Sequence, residues 1–251
     1  MIASSIKRLL LINPNTTVAV TQRLAGFLQA HLPNSVQLST ATARFGASYI
    51  ACEASHAVAA HAALECWAQY LAEAPAPEAV LIACFGDPGL FALRQSSACP
   101  VTGLAEAAFI EASAYGKFAI VTGGQRWKPM LWRLAQNLGF ANKLQHIEIV
   151  APTGAQLMAD PAMALACLAQ ACQSARATGV QSIIIGGAGL AGYAQQLQGQ
   201  CDLPLVDSAL AGLRVLLDGK ITAQAAPSNG FEANWSSISA PMQALQRTEH
   251  R

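Results

Sequence analysis

Short apolar runs of strand length alternate with longer alanine-rich stretches of helical spacing along most of the chain. Residues 8–12, 36–39, 79–84, 101–103, 118–121, 145–149, 182–185 and 203–206 read as strands. Between them, residues 16–31, 48–72, 106–114, 127–138, 161–178 and 209–217 read as helices. Strands that alternate with helices predict an α/β fold with a mainly parallel sheet and helices on both faces. Punctuation agrees with this order. Thr16 or Asn15 suits the cap of the first helix, Gly116 and Gly139 suit helix stops, and Pro161 suits the first turn after Asp160.

The two halves repeat each other. Lys7-Arg8-Leu9-Leu10-Leu11 opens the first, and Lys117-Phe118-Ala119-Ile120-Val121 opens the second. Val80-Leu81-Ile82-Ala83-Cys84-Phe85-Gly86 then matches Ile183-Ile184-Ile185-Gly186-Gly187-Ala188-Gly189. Cys84 precedes Pro100 by 16 positions, and Gly187 precedes Pro204 by 17. A period this long is no solenoid. It predicts two duplicated, pseudo-symmetric lobes: residues 1–115 and 116–207, with the chain able to return to the first lobe after about 208. Residues 208–251 would form a C-terminal helix and tail that pack back on the first lobe. Within the tail, residues 226–230 have loop composition, and Trp235 and Met242 predict packing. Ligands of open parallel sheets sit beyond the carboxyl ends of the strands. Cys84 and Gly187 are therefore expected on opposite walls of a cleft between the lobes.

Composition narrows the partners. Hydrophobic residues make up 53% of the 251 and charged residues only 12%. Material for a core is ample, and a surface poor in charge predicts a homo-oligomer. The net charge is +1 without a basic run, so neither nucleic acid nor an anionic membrane is an expected partner. The longest apolar runs, such as residues 79–85, fall far short of the roughly 18–20 that span a bilayer. The run 9–12 is too short for a signal-peptide core, so a cytoplasmic location is expected. The seven cysteines are odd in number and irregular in spacing, which predicts free thiols rather than disulfides or a metal site.

Cys84-Phe85-Gly86-Asp87-Pro88-Gly89-Leu90 is the strongest chemical signal. A strand ends in a cysteine and enters a turn, where Asp87 and Pro88 could start a helix. Backbone N–H groups at such a turn bind carboxylate or enolate oxygens. A nearby helix start would lower the pKa of Cys84, and Asp87 would push the other way. The bland alternative is a small buried residue at a strand end. The duplication favours the cleft.

The stretch from Cys84 to Leu90 resembles the first catalytic-cysteine motif of the hydantoin and allantoin racemases, in the aspartate/glutamate/hydantoin racemase superfamily. Ile12-Asn13-Pro14-Asn15-Thr16 resembles that family's N-terminal signature. Pro100-Val101-Thr102-Gly103-Leu104 and Ile120-Val121-Thr122 also fit, and the resemblance runs from about Leu9 to Leu217. It implies cofactor-independent proton transfer at a carbon next to a carbonyl of a small molecule, with one cysteine on each face of the planar enolate. It implies Cys84 as one acid/base, and Asn13, Asn15, Phe85, Gly86 and Thr122 as binding residues. For Asn13 and Asn15 a turn and helix cap is an equal alternative.

The second family motif reads Gly-Cys-Ala-Gly, whereas this chain has Gly186-Gly187-Ala188-Gly189. Gly187, Ala188 and Gly189 then become a backbone cradle, and a two-thiol mechanism is in doubt. Tyr193, Asp207, Ser208 or Cys201 could serve the second face. The chain could instead be a one-cysteine lyase or decarboxylase of a malonate-like acid; the superfamily's arylmalonate decarboxylase keeps its thiol on the other lobe. A carboxylate-binding homologue without catalysis is a third reading. Gly187 to Gly192 also matches G-x-G-x-x-G, with Asp207 twenty positions on, but the motif alone is weak and the room before Leu203 is short for a dinucleotide crossover. His56 and His61 read as surface or satisfied polar groups, Trp127 and Trp132 as packing on one helix, and Arg94 and Arg126 as solvated rather than as partners of a substrate carboxylate.

Overall fold

The computed structural model describes residues 6–152, 154–223 and 235–245. The expected loop at 226–230 lies outside them. Among the described residues, eight strands form two parallel four-stranded sheets. The first contains β1 (Arg8–Asn13), β2 (Gln37–Thr42), β3 (Ala79–Ile82) and β4 (Val101–Gly103), in the order β2-β1-β3-β4. The second contains β5 (Phe118–Gly123), β6 (Leu144–Val150), β7 (Ser182–Ile185) and β8 (Leu205–Asp207), in the matching order β6-β5-β7-β8. β3, β5 and β7 are buried at every residue, and β1 at all but its first. Covered on both faces, they need continuous apolar runs. The edge strands β2 and β6 are only partly buried and carry the polar residues.

The connecting helices are α1 (Val18–Gln29), α2 (Glu53–Glu73), α3 (Leu90–Gln95), α4 (Leu104–Ser113), α5 (Trp127–Asn137), α6 (Gly154–Ala159), α7 (Pro161–Arg176), α8 (Tyr193–Leu197), α9 (Ser208–Leu217) and α10 (Ala240–Leu245). The six longer ones fall where helical spacing predicts them. The short α3, α6, α8 and α10 are at most six residues each, too little chain for a helical period to register. Asp160 caps α7 by accepting from the Met163 N–H at 3.0 Å, with Pro161 in the first turn.

One helix differs from expectation in a way that matters below. The alanine-rich pattern runs from residue 48, but α2 starts at Glu53, where Cys52 and Ser55 form a reciprocal cap. The residues before it make a loop instead.

α4 and α9 are buried nearly all round and pack on each other between the two sheets. α4 leaves the first sheet and also packs on β7 and β8. α9 leaves the second sheet and also packs on β3 and β4. The contact is close: a Cβ on Gly212 of α9 would lie 2.7 Å from Leu81 of β3. Ser182 of β7 donates to the Ala112 carbonyl of α4 at 3.1 Å. One continuous apolar cluster therefore spans both halves. α10 packs on α2 through Met242 and Ala68. No described helix is long and apolar enough to cross a membrane.

Candidate active site between the two sheets

A cavity of about 120 Å³ opens where the carboxyl ends of the two sheets face each other. Asn15, Ala83, Cys84 and Phe85, which follow β1 and β3, form one wall. Thr122 and Gly123 of β5, with the turn from Gly186 to Leu190 after β7, form the other. Thr17 and Val20 of the α1 region, Ser48, Tyr49 and Ile50 of the loop before α2, and Trp127 of α5 close it round. Cys84 stands two residues past the end of β3, and Gly187 two past the end of β7. The duplication thus sets a thiol opposite a bare backbone.

The thiol is not in the activated state that a helix start would give it. Burial is the main cause that pushes its pKa up, and the Asp87 carboxylate adds to it. α3 begins only at Leu90, after Gly89 in the left-handed conformation. Asp87 caps a different helix. With a φ of +50°, it turns its carboxylate to the N-terminus of α4, where it accepts from the Ala105 and Glu106 N–H groups at 2.9 and 2.7 Å. Burial, with a contribution from Glu106, outweighs these bonds and pushes Asp87 up to about 7. Gly103 must be glycine here, because a Cβ would lie 2.2 Å from the Asp87 carboxyl carbon. The second half solves the same problem from the other end. Asp207 occupies the place of Gly103, accepts from Ala209 and Leu210 N–H at 2.9 and 3.2 Å, and reaches back to the Gly192 N–H at 2.7 Å.

A profile described as Asp/Glu/hydantoin racemase matches residues 9–216, from β1 to the end of α9. The chain belongs to this family. A hydantoin racemase of Paenarthrobacter aurescens is 34% identical over 211 residues, which cover 83% of this chain and 89% of that protein. A second, from Pseudomonas sp. strain NS671, is 28% identical, covering 81% and 82%. The solved allantoin racemase from Klebsiella pneumoniae has a TM-score of 0.83 at 25% identity, covering 96% of this chain and 99% of that one.

In this racemase-family protein, seven of the nine residues singled out in the sequence line the cavity: Asn15, Cys84, Phe85, Thr122, Gly187, Ala188 and Gly189. The other two stand behind the wall. Asn13 is fully buried; its amide donates to Asn15 Oδ1 at 3.1 Å and Thr21 Oγ1 at 2.9 Å, and its own oxygen accepts from the Asn15 N–H. It holds Asn15 in place. Gly86 is pinched against Trp127, where a Cβ would meet the indole at 2.3 Å, and its carbonyl accepts from His56 Nε2 at 2.9 Å. His56 is thus a satisfied polar group tied to the cysteine loop. The Phe85 ring reaches across to Gly186, where a Cβ would lie 2.3 Å from it, and Thr122 Oγ1 donates to the Gly186 carbonyl at 2.7 Å.

Three of the four candidates for the second face are elsewhere. Asp207 is spent on its caps, and Tyr193 and Cys201 pack in the second apolar cluster. Ser208 Oγ accepts from the Gly187 N–H at 3.3 Å but does not line the cavity. Arg94 binds Glu106 and the Val101 carbonyl, so it is paired rather than solvated. The glycine-rich turn leads into the five-residue α8, not into a dinucleotide crossover helix. Tyr49, Ser48 and Trp127 are wall residues the pattern did not reveal. The signal for Tyr49 was its place beyond the carboxyl end of β2, masked by the helical spacing around it.

Proposed function

We propose that this protein is a cofactor-independent racemase that moves a proton at the carbon next to a carbonyl of a hydantoin-like or amino-acid-like small molecule. The observation that carries the reading is Cys84: one thiol, at a strand end, in the wall of a cavity framed by both sheets, inside the family match. At rest the buried thiol holds its proton. Loss of that proton to solvent gives the base, which takes the substrate proton and leaves an enolate. Asn15 Oδ1 is held by Asn13 and by the Thr17 N–H at 2.9 Å, so its amide nitrogen is the end offered to a substrate carbonyl. The relatives are hydantoin racemases by name, which supports a cyclic amide as substrate.

Gly187 favours a second reading. By resemblance it stands in place of the second cysteine, and a site with one thiol suits chemistry on one face, such as decarboxylation of a malonate-like acid. Proton NMR in D2O with single-enantiomer 5-substituted hydantoins and aryl malonates separates the two. Deuterium wash-in with loss of optical purity supports racemisation. Loss of CO2 from the malonates supports the lyase. Cys84→Ser should abolish either turnover, by a hundredfold or more, while calorimetric ligand affinity stays within a few-fold. An active Cys84→Ser variant would sink both.

A further inference from the structure

We infer that Tyr49 is the second proton carrier of the site, acting on the substrate face opposite Cys84. This rests on the racemase reading above and deepens it. Among the described residues that line the cavity, Cys84 and Tyr49 are the only ones whose side chains carry an acid/base S–H or phenolic O–H; the lining holds no His, Asp, Glu, Lys or Arg. Their places differ in the required way. Cys84 follows β3 of the first sheet. Tyr49 is carried by the loop after β2, but its hydroxyl crosses to the second half: it lies 3.2 Å from where a Cβ on Gly124, just past β5, would sit. That is the side of Thr122, Gly123 and Gly187, where no described lining residue carries a thiol.

The loop holds this reach rigidly. The Thr16 N–H donates to the Ala47 carbonyl at 3.1 Å, and Thr17 Oγ1 donates to the Ser48 carbonyl at 2.8 Å. On the other side Ile50 is buried, and the Ala51 N–H donates to Ser55 Oγ at 3.0 Å. Gly124 has a φ of +96°, a conformation that favours glycine, and its missing side chain leaves room for the hydroxyl.

The proton count closes without a co-reactant. The Cys84 thiolate takes the proton, an S–H bond forms, and the C–H electrons move to the carbonyl oxygen as an enolate. The Tyr49 O–H then gives its proton to the opposite face, the enolate electrons form the new C–H bond, and the carbonyl returns. The phenolate regains a proton from solvent as the thiol loses one. The other enantiomer runs the same steps in reverse.

The test is Tyr49→Phe, which keeps the ring, assayed in D2O with each enantiomer of 5-benzylhydantoin separately. Proton NMR reads exchange and chiral chromatography reads racemisation. The expected result is racemisation reduced a hundredfold or more from both enantiomers. Exchange with retention should persist, within about tenfold, from the enantiomer whose proton faces Cys84, and fail from the other. Racemisation within about threefold of the unmodified protein would overturn the role. So would loss of exchange from both enantiomers, because a group on one face cannot silence the other. If the unmodified protein exchanges neither enantiomer, the racemase reading falls and Tyr49 with it, a result distinct from a racemising Tyr49→Phe variant.

Discussion

Asp87 links the thiol to the framework. It caps α4, stands three residues from Cys84, and holds a buried carboxyl at about 7. In the unfolded chain the same carboxyl loses its proton near 4. Between these values the folded state keeps a proton that the unfolded state has lost, so stability falls as pH rises from about 4 to 7. Urea midpoints across that range should show this fall, and Asp87→Asn should flatten it. The same substitution removes a charge that lifts Cys84, so alkylation of Cys84 by iodoacetamide, followed by mass spectrometry of its peptide, should speed up. In the unmodified protein Cys52 should react before Cys84: Ser55 bonding holds its thiol below the usual value, while burial holds Cys84 above it. Gly103→Ala would drive its Cβ into the Asp87 carboxyl and uncap α4. A loss on the order of 2 kcal/mol or more should follow in urea denaturation. Little of this was legible in the sequence. Asp87-Pro88 reads as a cap for the next helix, and only the turn's geometry sends the carboxylate one unit further along the chain.

At the scale of elements, periodicity located all eight strands and the six long helices, because burial on both faces or on one stripe leaves a pattern that composition alone does not. It failed at the start of α2, where alanine continues the helical spacing into a loop. The Cys52–Ser55 cap is the physical stop, and cysteine is a poor signal for one. That single error hid Tyr49. The duplication put Cys84 and Gly187 at matching positions, two residues past β3 and β7, where both line the cavity, but it could not show the backbone that the second turn adopts. Gly187 has a φ of +151°, and a Cβ there would meet Leu190 at 3.2 Å. Gly187→Ala should therefore cost about 1–3 kcal/mol, read as a lowered urea midpoint. A thiol placed at this turn would need the backbone remodelled as well as the side chain.

At the scale of the molecule, the two sheets share one core rather than meeting at an interface. α4 and α9 lie between them, each packed on its own half and on the other. A bidentate pair between Arg133 of α5 and Glu53 of α2 also crosses from one half to the other at 2.6 and 2.7 Å. It is exposed, so Glu53→Ala should change stability by no more than about 1 kcal/mol. The shared core decides how freely the two halves can move. Swinging the halves apart would expose the apolar faces of both central helices, at roughly 25 cal/mol for each Å² uncovered. The core therefore acts as a fixed frame that keeps the wall carrying Cys84 and the wall carrying Gly187 at a constant distance from each other.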